Sequence, residues 1–197
     1  MSDAAPPCDD RSAATRRPRR RDAQQRRDAL IEAEAACFGE AGYAVALEDV
    51  ADRAGVGRGT LYRNFKDRMA LILAIFERQV DRLDTAADPQ VPLRETMVRL
   101  VREGMPAMSL FTRLRTEMPL DGEHVAAFRA LGERLERLVE PAAAAARERG
   151  EIRPGVGGHD LVLALRMAGG LVHPNMTQED IDAEIGEAID LLMRGFR

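Results

Sequence analysis

Leu47-Glu48-Asp49-Val50-Ala51-Asp52-Arg53-Ala54-Gly55-Val56-Gly57-Arg58-Gly59-Thr60-Leu61-Tyr62-Arg63-Asn64-Phe65-Lys66 is the stretch that decides the fold. Leu47, Val50, Ala51 and Ala54 keep helical spacing, and Gly55 then ends that helix and permits the positive φ of a tight turn. Val56 is expected to plug the angle between two helices. The second helix opens after Gly57, runs from Arg58 to Asn64, and is anchored from beneath by Leu61 and Phe65. Burying Phe65 alone should stabilise by about 2 kcal/mol. The outward side then holds Arg58, Gly59, Thr60, Tyr62, Arg63 and Asn64, with Lys66 following, all donors, acceptors or close-approach positions suited to base edges and phosphates. Two short helices about a glycine turn, apolar inside and polar outside, make a helix-turn-helix.

Working outward, the same periodicity continues in both directions. A first helix is expected from about Gln24 to Ala41, with Leu30, Ile31, Ala35 and Phe38 on one stripe and Gly42 as its stop. A fourth runs from about Arg68 to Thr85 through Leu71, Ile72, Ile75, Phe76, Val80 and Leu83, and residues 88–92 read as a linker. Beyond it, helices are expected near 93–105, 107–117, 122–149, 158–173 and 178–196, parted by Pro106, Pro119, the Arg153-Pro154-Gly155 turn and Pro174. Strand-like alternation is absent, so the expected class is all-α, with a three-helix N-terminal domain at 23–67 and a helical C-terminal domain at 68–197.

Charge placement says more than charge sum. The net charge is −4 over 197 residues, yet eight arginines (11, 16, 17, 19, 20, 21, 26 and 27) face one acid, Asp22, between Arg11 and Arg27. That block is locally basic enough to approach a phosphate backbone, and charges beyond the Debye length of about 8 Å barely sense the acidic remainder. Residues 1–22 lack apolar periodicity and are expected to be a disordered basic tail. Only Cys8 and Cys37 occur, which leaves no disulfide framework or four-cysteine zinc site within one chain and fits a reducing cytoplasm. No apolar run approaches the roughly 18 residues of a membrane span, and no signal-peptide core precedes the arginines. A membrane partner is not expected.

The stretch from about 28 to 76 resembles the DNA-binding domain of TetR-family transcriptional regulators. The matching elements are Ala29-Leu30-Ile31 through Phe38, Gly42-Tyr43, Val50-Ala51, Ala54-Gly55-Val56 and Gly59-Thr60-Leu61-Tyr62 with Phe65. They cover roughly a quarter of the chain. The resemblance implies a homodimer whose recognition helices enter successive major grooves of a palindromic operator in double-stranded DNA, and a C-terminal domain that binds a small-molecule effector. It implies that Arg58, Gly59 and Thr60 reach bases or nearby phosphates, that Tyr62 and Asn64 lie along the backbone, and that Lys66 adds a phosphate contact. Two positions depart from the pattern. Ala46 stands where Ser or Thr often caps the second helix, which loses a bond worth about 1 kcal/mol, and Asn64 stands where His is frequent.

No motif marks the remaining chain. On the resemblance and on residue type, Met97, Leu100, Met105, Met108, Phe111 and Phe128 are candidates to line an apolar effector pocket, with Arg166 placed to meet an anionic end. The same residues suit a plain core. In the last helix Ile181, Ile185, Ala188, Ile189, Leu192, Met193 and Phe196 form a wide stripe, and with Leu161, Leu165, Ala168 and Val172 it is expected to build a four-helix interface about a twofold axis. His124, His159 and His173 form no close pair, so no metal or other cofactor is expected. The leading function is a ligand-responsive DNA-binding repressor and not an enzyme. An all-helical enzyme lacks any phosphate loop, nucleophile motif or carboxylate dyad to recommend it, and an effector-independent DNA-binding dimer differs only in lacking a pocket.

Overall fold

A run of good helix formers with apolar residues at helical spacing, broken by glycine and proline, gives helices only. The computed structural model describes residues 11–41, 45–117, 121–170 and 176–197, and in them eight helices and no strand. These are α1 (Arg11–Ala41), α2 (Leu47–Arg53), α3 (Arg58–Asn64), α4 (Arg68–Leu83), α5 (Leu93–Glu117), α6 (Gly122–Glu148), α7 (Gly158–Gly169) and α8 (Gln178–Phe196). The chain divides between Ile72 and Leu73, inside α4, into two compact units. Gly42, Tyr43, Val172, His173 and Pro174 lie outside the described residues.

In the first unit the apolar sides of α1, α2 and α3 meet. Leu30, Ile31, Cys37 and Phe38 of α1 pack with Val50 and Ala51 of α2, Leu61 of α3 and the following Phe65, all buried. Gly55 has φ +66°, and around it Gly55 N–H donates to the Asp52 carbonyl (3.1 Å) and Val56 N–H to the Ala51 carbonyl (3.0 Å). That paired bonding closes α2 with a left-handed residue and turns the chain sharply into α3, as a glycine there permits. Val56 is half-buried in the angle. Ala46 caps α2 without any side-chain bond, and Asp67 accepts from Ala70 N–H (2.8 Å) to cap α4.

Two expectations change here. The helix α1 starts at Arg11, so residues 11–22, read as disordered, are helical: arginine, alanine and glutamine have high helix propensity and need no apolar stripe to continue a helix already formed downstream. The break expected at Pro106 is absent, and α5 runs unbroken from Leu93 to Glu117. A proline removes one backbone bond and strains one turn, but the helix formers on either side and the buried Leu114 hold the helix on.

In the second unit α7 packs against α5, α6 and α8, around a core that includes Met97, Leu100, Val139, Ala143, Leu161, Leu165, Ile185 and Ile189. At Gly158 a Cβ would stand 2.4 Å from the Glu136 carbonyl oxygen, so only glycine lets α7 approach the α6 backbone this closely. Gly158 N–H donates to Glu140 Oε2 (2.5 Å) while Arg147 holds Oε1 (2.8 Å), and the Arg147 and Gly158 bonds keep the Glu140 carboxyl below its ordinary range. The segment read as a linker is tied down. Arg149 donates to the Pro89 and Val91 carbonyls (2.8 and 3.2 Å), and Glu151 accepts from Leu93 N–H (2.7 Å).

The stripe expected to face a partner is largely internal. Ile185, Ile189, Met193, Leu161, Leu165 and Ala168 are buried against their own chain. A stripe in sequence shows which side of a helix is covered and not which chain covers it. On α7 and α8, large apolar residues left to solvent include Leu163 and Met167, one turn apart on α7, and Leu191 on α8, 50%, 57% and 62% exposed.

Candidate nucleic-acid interface

The packing of Leu61 and Phe65 downward fixes what α3 presents upward. Arg58, Gly59, Tyr62 and Arg63 are exposed, Thr60 and Asn64 are half-buried, and Lys66 is exposed in the turn before α4. Tyr62 is half exposed, and its hydroxyl donates to Glu48 Oε1 of α2 (3.2 Å). Arg63 donates to Thr60 Oγ1 (3.3 Å), and Lys66 Nζ lies 4.0 Å from Asp67. Asn64 bonds the Thr60 carbonyl on its own helix (2.7 Å), which turns its amide away from the reach expected of it. All seven residues named from the sequence therefore lie on one short segment, with Asn64 occupied locally.

Three contacts hold this segment on its support. Arg68, at the start of α4, grips Glu34 of α1 with Nε to Oε1 (2.8 Å) and Nη2 to Oε2 (3.2 Å), and its Nη1 donates to the Val45 carbonyl ahead of α2. Glu34 is fully buried and Arg68 nearly so. Burial pushes the Glu34 carboxyl above its ordinary range, while the bond and charge of Arg68 pull the other way. At the surface, Arg53 of α2 pairs through both nitrogens with Glu40 of α1 (2.6 and 2.8 Å), and its hydrogen bond lowers the Glu40 carboxyl's pKa. Arg27 stacks over the Phe65 ring at 4.9 Å, so one arginine of the basic block serves the fold. Residues 21–26 of α1 are exposed.

The Glu34–Arg68 pair escapes sequence reading, although a signal exists. Glu34 stands between Leu30 and Phe38, four residues from each, at a position the stripe would fill with an apolar residue.

Among the described residues, those named for an effector do not gather around one opening. Met97 and Leu100 are buried in the core of the second unit, Met105 is half-buried against it, and Phe128 meets Phe76 edge-on at 5.3 Å. The side chains of Met108 and Phe111 lie outside the described residues. Arg166 is exposed, with its guanidinium against Gly132 of α6. A separate surface depression of about 510 Å³ is lined by Asp81, Asp84, Arg134, Arg137 and Leu138, and shares none of these residues. Thr96 Oγ1 is buried without a hydrogen-bond partner among the described residues. His124 lies 2.8 Å from Asp121 and His159 2.9 Å from Glu136.

A family profile described as "Bacterial regulatory proteins, tetR family" matches residues 30–75, the segment that spans the helix-turn-helix and its supports. Over residues 30–75 the chain therefore matches the tetR family. It is 37% identical over 73 residues to the HTH-type transcriptional activator FasR of Mycolicibacterium smegmatis, covering 36% of this chain and 33% of that protein. It is 29% identical over 136 residues to the HTH-type transcriptional repressor KstR of Mycobacterium tuberculosis, covering 65% and 61%. The chain thus spans between a third and three fifths of the length of the curated relatives it matches. The crystal structure of the regulator FadR from Bacillus subtilis in complex with stearoyl-CoA shares the fold at a TM-score of 0.66 and 16% identity, over 86% of this chain and 98% of that one. Among the described residues, no helix is long and apolar enough to cross a membrane.

Proposed function

We propose that this chain is a homodimeric transcriptional regulator that reads a palindromic operator with α3 and releases it when an apolar ligand occupies the second unit. The observation that carries the reading is the outward side of α3, where Arg58, Tyr62 and Arg63 stand exposed above a helix fastened by Leu61 and Phe65. Donors on a rigid helix flanked by glycines suit entry into a major groove. Tyr62→Ala should therefore weaken operator binding while the chain stays folded, because the ring is half exposed and its hydroxyl bonds Glu48 at the surface. Equal affinity of wild type and variant in a gel-shift titration would remove the assignment.

A dimer is supported by the apolar surface on the outer side of α7 and α8. Leu163, Met167 and Leu191 are large, apolar and open to water, and a twofold pairing of these helices would cover them. Met167→Glu should give a folded monomer by light scattering, and a dimer of normal stability would place the interface elsewhere. Half-sites would lie about 34–36 Å apart, or a multiple of that.

The effector is supported by the stearoyl-CoA bound to the Bacillus subtilis relative and by unpartnered Thr96 Oγ1 in an otherwise apolar interior. A polar ligand atom that met Thr96 would offset a desolvation cost of about 1–3 kcal/mol. Met97, Leu100 and Met105, with their flexible neighbours, would part to admit an acyl chain. Differential binding of about 1–3 kcal/mol is enough for 5- to 150-fold release. Repeating the gel-shift titration with a long-chain acyl-CoA tests this, and an unchanged curve takes that ligand class out of the reading. KstR is named a repressor and FasR an activator, and the release mechanism favours repression.

A further inference from the structure

The surface around α3 is basic through Arg58, Arg63 and Lys66, and one acid reaches into it from the neighbouring helix. Glu48 lies in the first turn of α2, and its Oε1 takes the Tyr62 hydroxyl at 3.2 Å. That bond joins α2 to the outward side of α3 and fixes the carboxylate beside the residues proposed to meet DNA. A carboxylate there opposes any backbone contact, because it repels phosphate. Of the two major-groove amino donors, the N4 group of cytosine suits it, since beside the N6 group of adenine the N7 acceptor would face a carboxylate that has no donor to offer. Tyr62 engages one oxygen and leaves acceptor capacity on the carboxylate for such a donor.

We propose that Glu48 is a specificity-determining residue, held by Tyr62, that selects a C·G pair in each half-site. The inference rests on the DNA-reading function proposed above. The full-length chain and its Glu48→Ala, Glu48→Gln and Tyr62→Phe variants would each be taken through selection from a library of random duplexes, with melting temperature measured alongside. The wild type should enrich a motif with a C·G pair whose preference falls about fivefold or more in Glu48→Ala, while other positions keep theirs. Glu48→Gln should shift that position towards A·T, since glutamine reads adenine, and Tyr62→Phe should weaken the same position less. Variants that enrich the wild-type motif unchanged, or lose preference equally at every position, would overturn the role of Glu48 alone. A wild type that enriches no motif would overturn the DNA-reading function, and this inference with it.

Discussion

Glu34→Ala is expected to destabilise the first unit by about 3–5 kcal/mol, because it strands the Arg68 guanidinium, only 8% exposed, without its carboxylate. Against a total stability of about 5–15 kcal/mol, such a loss leaves the unit marginal. The damage should extend to DNA reading, since Arg68 also bonds the Val45 carbonyl just ahead of α2. The double variant Glu34→Leu with Arg68→Met should recover much of the loss, as matched apolar groups often replace a buried pair at no cost. Urea denaturation reads both. A Glu34→Ala variant within about 1 kcal/mol of wild type would mean that water or a rearranged side chain satisfies Arg68, and that the pair is not what fastens α4 to α1.

Removing residues 1–22 should flatten the salt dependence of DNA binding. Six arginines leave with the segment (11, 16, 17, 19, 20 and 21), while Arg27 stays on Phe65 and the buried Leu30, Ile31 and Phe38 are untouched. The truncated chain should keep its melting temperature. Each phosphate contact contributes a slope of about 0.9 in log affinity against log salt, so the slope should fall by several units if most of the six meet phosphates. An unchanged slope would make the block a bystander, its charge directed into solvent.

What was legible in the sequence had local causes. Gly55 must adopt positive φ, and Gly59-Thr60-Leu61-Tyr62 with Phe65 divides into inward and outward residues by spacing alone, so the turn and its two short helices stand where expected. What was hidden depends on partners distant in sequence. Glu34 lies on the buried side of α1, and its partner Arg68 is 34 positions on, beyond any local pattern. Ile185 and Ile189 read as an interface because nothing in their own helix tells that α5 and α7 of the same chain already cover them. Arg166, the lone charge in an apolar run, belongs to the exposed side of α7 with Met167, away from buried Met97. The break assigned to Pro106 failed for a related reason: the local penalty is real, but burial further along α5 outweighs it.

The most direct test of the central claim is to incubate the purified chain with sheared genomic DNA of its source, recover the bound fragments and sequence them, with Tyr62→Ala in parallel. Wild type is expected to enrich a small set of fragments sharing an inverted repeat with half-sites one helical turn or a multiple apart, and the Tyr62→Ala enrichment to collapse. Fragments recovered in proportion to the input, or a shared motif bound equally by Tyr62→Ala, would contradict that claim.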